Sequence, residues 1–372
     1  MPVLSLPPAF ALLAGLTRFS PARPLHTFFR AAGYKLRPPR PVPHTVSVID
    51  RQSEILARGE ASLHQRAAVL CERRSGATPT IVLGGFVPDS TEQVFLLRGY
   101  LLRQGSVYYL NYARGGFSAA LISAQLDDLV QEININHGQR PVIFGVSFGA
   151  GLVLDWLRRA SAARMSPAIS GIILVSPVAC AADIVVPGEA KASTLIGRAL
   201  KPYLDSGATV CTEVVDRSRA IFAKIFEAGA QNREAIGALL TPGELRLLCD
   251  RVLRSIQEIE PAGAYERVNA LRAMPALSPW IKANQSPLST APTLVLYAEK
   301  ESAVIAAGSP TRVAFESALQ SLFPLGQLQI VSSDPKGSAV QHASLIFHYF
   351  QFLPLVTAFY RNLKLRKLPL AA

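Results

Sequence analysis

Apolar runs and amphipathic stretches alternate through the first half of the chain. Short β-rich apolar runs occupy residues 44–49 and 67–72. A strict alternation follows, with strands at 80–83, 106–112, 141–144 and 171–176, and helical spacing at 91–104, 118–135 and 150–160. Strands joined by helical stretches of this length predict parallel βαβ units. The alternation stops at Pro177. Residues 178–289 carry no clear strand pattern and read as helical, notably over 193–203, 211–228 and 243–258. Strand signal returns at 293–297 and 327–332, and a closing helix is predicted from 343 to about 363, kinked at Pro354. Ahead of all this, residues 1–42 form an apolar, proline-rich extension in which Leu25, Phe28, Phe29 and Ala32 fall on one helical face. The pattern therefore predicts an α/β protein, a mostly parallel sheet flanked by helices, in four parts: 1–42, 43–177, a helical insertion at 178–289, and 290–372.

One junction in that pattern carries chemistry. The strand ending at Phe144 gives way to the helix at Ala150 through Gly145-Val146-Ser147-Phe148-Gly149. A serine is a poor nucleophile near neutrality and needs both a base within hydrogen-bond reach and donors for the developing oxyanion. A tight strand-to-helix turn pushes the side chain out of the sheet and sets the next backbone N–H at a helix N-terminus. Gly145 and Gly149 leave room for the neighbouring backbone in such a turn. A Gly-x-Ser-x-Gly arises by chance in roughly one chain in ten of this length. The strand before it and the helix after it give it weight.

With that turn in that setting, the sequence resembles the α/β-hydrolase family over roughly residues 45–350. The resemblance implies an α/β-hydrolase sheet with a helical cap insertion, and a nucleophile, an acid and a histidine in that chain order. It carries the nucleophile onto Ser147. The segment Gly84-Gly85-Phe86-Val87-Pro88 after the strand at 80–83 resembles the family's oxyanion loop, with Gly84 where a histidine is usual. The oxyanion donors implied are then the N–H groups of Phe86 and Phe148. After the strand at 293–297 the text reads Ala298-Glu299-Lys300-Glu301, where family members commonly show Gly-x-x-Asp. Glu301 stands for the acid, and Glu299 is the alternative. The histidine is expected in the loop after the last strand, and His342 fits that place better than His348, which falls inside the predicted helix. In similar hydrolases the segment corresponding to 178–289 roofs the active site. The function implied is hydrolysis of an ester or thioester with a hydrophobic acyl or alcohol part. An acyltransferase with the same triad and a non-catalytic ligand-binding protein on the same fold are the alternatives.

Composition adds constraints of its own. Charged residues are 17% and hydrophobic residues 49% of the 372, as in a packed globular chain. The net charge is +12. No acid precedes Asp50 or follows Asp334, and those two ends hold eleven basic residues. Basic ends interleaved with Phe10, Phe19, Phe28, Phe29 and Tyr34 suit peripheral contact with an anionic membrane surface. No recognition motif accompanies the charge, so nucleic acid is not expected as a partner. Cys71, Cys180, Cys211 and Cys249 form no Cys-x-x-Cys pair, and no histidine pair has ligand spacing. No metal site and no cofactor are expected. The first residues lack the basic start of a secretory signal. With so few cysteines this favours a reducing, cytoplasmic setting, with membrane-peripheral contact through the ends.

Overall fold

The computed structural model describes residues 41–205, 211–230, 234–283, 286–335 and 337–367. Eight strands form one sheet in the order β1-β2-β4-β3-β5-β6-β7-β8. They are β1 (Val42–Pro43), β2 (Ala68–Glu72), β3 (Thr80–Leu83), β4 (Val107–Asn111), β5 (Val142–Val146), β6 (Gly171–Val175), β7 (Thr293–Ala298) and β8 (Gly326–Val331). β1–β2 and β2–β4 pair antiparallel, and every pair from β4 through β3 to β8 is parallel. The helices in chain order are α1 (Asp50–Ala57), α2 (Ser90–Gln93), α3 (Arg98–Leu101), α4 (Ala119–His137), α5 (Phe148–Ala162), α6 (Leu195–Asp205), α7 (Thr212–Gly229), α8 (Glu234–Leu239), α9 (Pro242–Gln257), α10 (Pro261–Ala273), α11 (Ser278–Lys282), α12 (Pro310–Leu322) and α13 (Tyr349–Lys367).

The central strands are apolar throughout because both faces are covered. Ile81, Leu83, Ile143, Ile172, Leu174 and Val295 point to the face that carries α4 and α5. The alternate residues Val82, Val142, Phe144, Ile173, Val175 and Leu294 point to the face that carries α3 and α13. The few polar groups in these layers are paired. The Arg98 guanidinium on α3 meets Glu72 at 2.8 Å, and Glu72 also accepts from the Tyr109 hydroxyl at 2.7 Å. Thr80 and Tyr360 share a hydrogen bond of 2.6 Å, which ties β3 to α13.

Strand order reverses direction at β3: β4 lies on one side of it and β5 on the other. In open parallel sheets a crevice forms beyond the carboxyl ends of the strands at such a reversal. The loops after β3, β5, β6, β7 and β8 all end there.

The structure departs from the periodicity in several places, each with a local cause. Residues 44–49 are not a strand. Only Val42–Pro43 pairs with β2, and the N–H of Ser47 is instead drawn to the Glu132 carboxylate on α4. The N–H groups of Arg51 and Gln52, opening α1, donate to Asp128 at 3.0 Å each. A carboxylate on a neighbouring helix thus stands in for a local cap. Residues 91–104 form two single turns, α2 and α3, rather than one helix. Gln93 is held by the loop after β3, and Arg98 by Glu72. The helix α12 lies between β7 and β8, where no helix was predicted, although Ser309-Pro310 is a good start signal: the Ser309 hydroxyl accepts from the Arg312 N–H at 3.2 Å. The closing helix begins at Tyr349 rather than at 343 and contains Pro354 within its second turn. Its last turns are docked rather than trailing: Tyr360 and Leu363 are buried, with Arg361, Lys364 and Arg366 exposed. Of the extension predicted at 1–42, only residues 41 and 42 fall among those described. Among the described residues no helix is long and apolar enough to cross a membrane.

Candidate active site

β5 runs directly into α5 at Ser147, which takes φ 51° and ψ −117°. This is the left-handed side of the map, uncommon for a residue with a Cβ, and it persists only where the surroundings enforce it. Here the main chain is fixed on both sides. The Ser147 N–H donates to the Val175 carbonyl at 2.8 Å, and its own carbonyl accepts from Gly151 and Val178, each at 3.2 Å. The turn also demands close backbone approach. A Cβ on Gly149 would lie 2.3 Å from the Gly84 carbonyl oxygen, and one on Gly145 would lie 2.7 Å from Ala150 Cα. Gly151 is equally constrained, its Cβ position being 2.0 Å from the Val178 oxygen. Gly149→Ala should therefore destabilise the fold by about 3 kcal/mol in urea unfolding, because the obstruction is backbone and cannot swing aside.

Three side chains from three loops meet at this turn. The Ser147 Oγ lies 2.9 Å from His342 Nε2. His342 Nδ1 lies 2.5 Å from Glu301 Oε2. An ionised carboxylate only accepts, so Nδ1 carries the proton and Nε2 is free to accept from the serine hydroxyl. Glu301 is 4% exposed. Its other oxygen accepts from the Ser176 hydroxyl at 2.7 Å and from the Ala298 N–H at 2.8 Å. Burial pushes the Glu301 carboxyl up. His342, its hydrogen bond, the Ser176 hydroxyl and the Ala298 N–H together outweigh burial and hold it below the ordinary carboxylate range.

The loop after β3 is pinned beside Ser147. Gly84 N–H donates to Ser90 Oγ at 2.8 Å, and Gly85 N–H donates to Gln93 Oε1 at 3.0 Å. The Tyr112 hydroxyl holds the Gly84 carbonyl at 2.8 Å, and Arg267 Nη1 holds the Phe86 carbonyl at 2.6 Å. The rings of Phe86 and Phe148 stack at 4.3 Å, so the two residues are neighbours next to Ser147. Phe148 is the first residue of α5, where a backbone N–H has no acceptor within its own helix.

The sequence matches no family model and no curated protein. Solved structures do match. A thermophilic esterase from Thermogutta terrifontis superposes with a TM-score of 0.52 at 14% identity, over 80% of this chain and 94% of that one. A membrane phospholipase A described as a bacterial virulence factor superposes with a TM-score of 0.54 at 17% identity, over 96% of this chain and 97% of that one. A bromoperoxidase from Bacillus anthracis gives 0.51 at 15%, over 79% and 96%. The chain has the α/β-hydrolase fold. On that fold the neighbours' chemistries vary, so the site has to be argued from its own residues.

The structure brings together Ser147, His342 and Glu301 at the carboxyl end of the hydrolase-fold sheet, with Gly145 and Gly149 under the serine and Phe86 and Phe148 beside it. Glu299 is excluded from this group: its Oε1 accepts from the N–H groups of Ser333 and Val340, at 3.1 and 2.6 Å. His348 is not in a helix but in the turn just before α13, where it is buried and bonded to Ser344 and Ser338. Its ring nitrogens are thus engaged by those partners, and burial lowers its pKa.

Ser176 is a residue that sequence reasoning missed. It ends β6 with φ 45°, and its hydroxyl donates to Glu301 and accepts from the Ala343 N–H at 3.2 Å. It thereby fixes the acid and the residue after the histidine to one atom. Ser176→Ala should lower kcat about tenfold with KM little changed, since it removes one hydrogen bond to a charged group and no substrate contact. A thermal melt run alongside separates this from general loss of fold.

Ser147 and His342 open into a cavity of about 370 Å³. Its other walls are mostly apolar, and many come from the insertion: Ile184, Leu195 and Ile196, then Phe222, Ile225 and Phe226 of α7, and Val252 and Ile256 of α9. Ile346 and Phe347 close the side nearest His342.

Proposed function

We propose that the chain is a serine hydrolase cleaving an ester or thioester whose acyl or alcohol part is hydrophobic. One observation carries the reading: an unbroken hydrogen-bonded series from Ser147 through His342 to a buried Glu301, opening into an apolar cavity. In this scheme His342 Nε2 takes the proton as Ser147 Oγ attacks the carbonyl carbon. Glu301 holds the imidazole in the right tautomer and offsets the charge it gains. The N–H groups of Phe86 and Phe148 bind the oxyanion. His342 then returns the proton to the leaving alcohol or thiol, and water repeats the sequence on the acyl-enzyme.

The insertion at 178–289 acts in this reading as a cap: it supplies apolar walls and keeps water from the acyl-enzyme except as a reactant. A cavity of this size suits a medium-length acyl chain or an aromatic group. The test is a panel of para-nitrophenyl acyl esters of increasing chain length. The reading predicts saturable turnover with an optimum above acetyl; no turnover along the whole series, with thioesters included, would contradict it.

The exposed Leu365 among Arg361, Lys364 and Arg366 on α13 favours peripheral membrane contact as well. Anionic liposomes should retain the full chain better than zwitterionic ones, and deletion of residues 1–42 should weaken retention. Equal partitioning of both forms would end the idea.

A further inference from the structure

The loop that lies against Ser147 is held peptide by peptide, with one gap. Between Gly84 and Gly85, the carbonyl accepts from the Tyr112 hydroxyl at 2.8 Å and the N–H donates to Gln93 Oε1 at 3.0 Å. Between Phe86 and Val87, the carbonyl accepts from Arg267 Nη1 at 2.6 Å. Between Val87 and Pro88, the carbonyl accepts from Gln93 Nε2 at 3.2 Å. The unit joining Gly85 to Phe86 has neither its carbonyl nor its N–H bonded to any described residue. That unit carries the Phe86 N–H. It also adjoins the nucleophile: a Cβ on Gly85 would lie 3.4 Å from Ser147 Cβ.

Gln93 spans the gap. It is buried, lines the main cavity with Phe86, Val87 and Ser147, and spends both ends of its amide on this loop. Its oxygen takes the N–H one residue before Phe86, and its nitrogen takes the carbonyl one residue after. A neutral side-chain amide offers an acceptor and donors side by side, whereas an ionised carboxylate of the same length offers acceptors alone. The single turn α2 that carries Gln93 is itself anchored at Ser90. The Ser90 N–H donates to Asn111 Oδ1 at 3.1 Å, and its hydroxyl donates to the Leu110 carbonyl at 2.6 Å. The amide is therefore referenced to the carboxyl end of β4. Arg267, from α10 of the insertion, holds the loop from another element and also bonds the Ala113 carbonyl at 2.8 Å.

We propose, on the hydrolase reading above, that Gln93 is a positioning residue for the oxyanion: by bridging the Gly85 N–H and the Val87 carbonyl it sets the Gly85–Phe86 peptide, so that the Phe86 N–H is left for the substrate oxygen. Such a donor stabilises developing charge best when it is in place before the reaction and has no competing acceptor. Gln93 bonds neither Ser147 nor His342, and it acts through the main chain of the loop. The bridge serves the transition state and leaves the apolar walls as they are. Its loss therefore falls on kcat rather than on KM.

The experiment is Gln93→Met, which keeps the length of the side chain and removes both hydrogen bonds. On the best para-nitrophenyl ester it should lose kcat by about ten- to a hundredfold, less than the full loss of an oxyanion donor, with KM changed by less than about threefold. An alkyl trifluoromethyl ketone, which adds to the serine as a tetrahedral alkoxide, should bind more weakly by a similar factor. Amide resonances separate positioning from general loosening. In the wild-type ketone adduct the Phe86 and Phe148 amide protons should both move downfield as charge-assisted hydrogen bonds form. In Gln93→Met the Phe148 shift should remain and the Phe86 shift should shrink. Gln93→Glu, which keeps an acceptor for Gly85 and loses the donor to Val87, is read in the same way and decides the question should Gln93→Met not fold. An active wild type matched by the variants in kcat and ketone affinity, or variants that lose both amide shifts together, would overturn the proposal alone. A wild type that neither turns over esters nor binds the ketone would overturn the hydrolase reading and the proposal with it.

Discussion

Ser147→Ala lowers kcat on the best para-nitrophenyl ester by about 10⁴–10⁶-fold, while the protein stays folded. The size of the effect follows from what the hydroxyl does. In the proposed scheme it is the atom that bonds to the substrate carbonyl, and without it the proposed donors, the N–H groups of Phe86 and Phe148, are left only to stabilise attack by water. The fold survives because the Ser147 side chain caps nothing in α5 and bonds only to His342. The strained backbone at this position is held by main-chain hydrogen bonds that alanine retains. Rates from wild type and variant preparations of matched melting temperature check this outcome. A loss below a hundredfold would mean that another group carries the attack. Cys71 and Cys180 are poor substitutes: burial pushes their thiols up to about 11 and about 12.

Glu301→Gln produces the second large effect, a loss in kcat of about 10⁴-fold. The reason lies behind the carboxylate. Ser176 Oγ and Ala298 N–H both donate to Oε1. In the glutamine variant these two donors require the amide oxygen at that position. The NH₂ group then faces His342 Nδ1 and donates to it. The imidazole is forced into the tautomer protonated on Nε2, which cannot accept from Ser147. Geometry is kept and the proton route is lost, so KM should change little.

The same substitution has a pH signature. The native Glu301 carboxyl is held below its unfolded value of about 4.3. Its contribution to stability is therefore present above that value and lost as pH falls through the lower folded one. Wild type should lose melting temperature on the acid side more steeply than Glu301→Gln. Parallel acid-side profiles would mean that the carboxylate is not held as described.

Much of this site was readable from local patterns because its parts are local devices. The serine turn announces itself through Gly145 and Gly149, whose Cβ positions are blocked by backbone. Glu301 and His342 each follow a strand of clear apolar pattern, so fold order placed them. What the sequence could not reveal depends on distant partners. Ser176 is one serine among many until β6, β7 and the 341–348 loop are brought side by side. Arg267 reads as an ordinary charge on a helix, yet it sits against the carbonyls of residues about 155 to 180 positions earlier. The predicted helix over 343–363 failed in its first turn for a physical reason too. Ala343 takes φ 49°, and the hydroxyl of Ser344 bonds the Gln341 carbonyl and the His348 ring, so residues 341–348 stay in turns and leave the histidine facing the serine. Apolar spacing continues across that loop because its residues still bury Leu345, Ile346 and Phe347.

The measurement closest to the central claim is covalent labelling of the folded protein with a fluorophosphonate, read by intact mass and peptide mapping. The account predicts a single adduct on Ser147, absent from Ser147→Ala and formed far more slowly in His342→Ala. An unlabelled wild type, or an adduct on another residue that persists in Ser147→Ala, would contradict it.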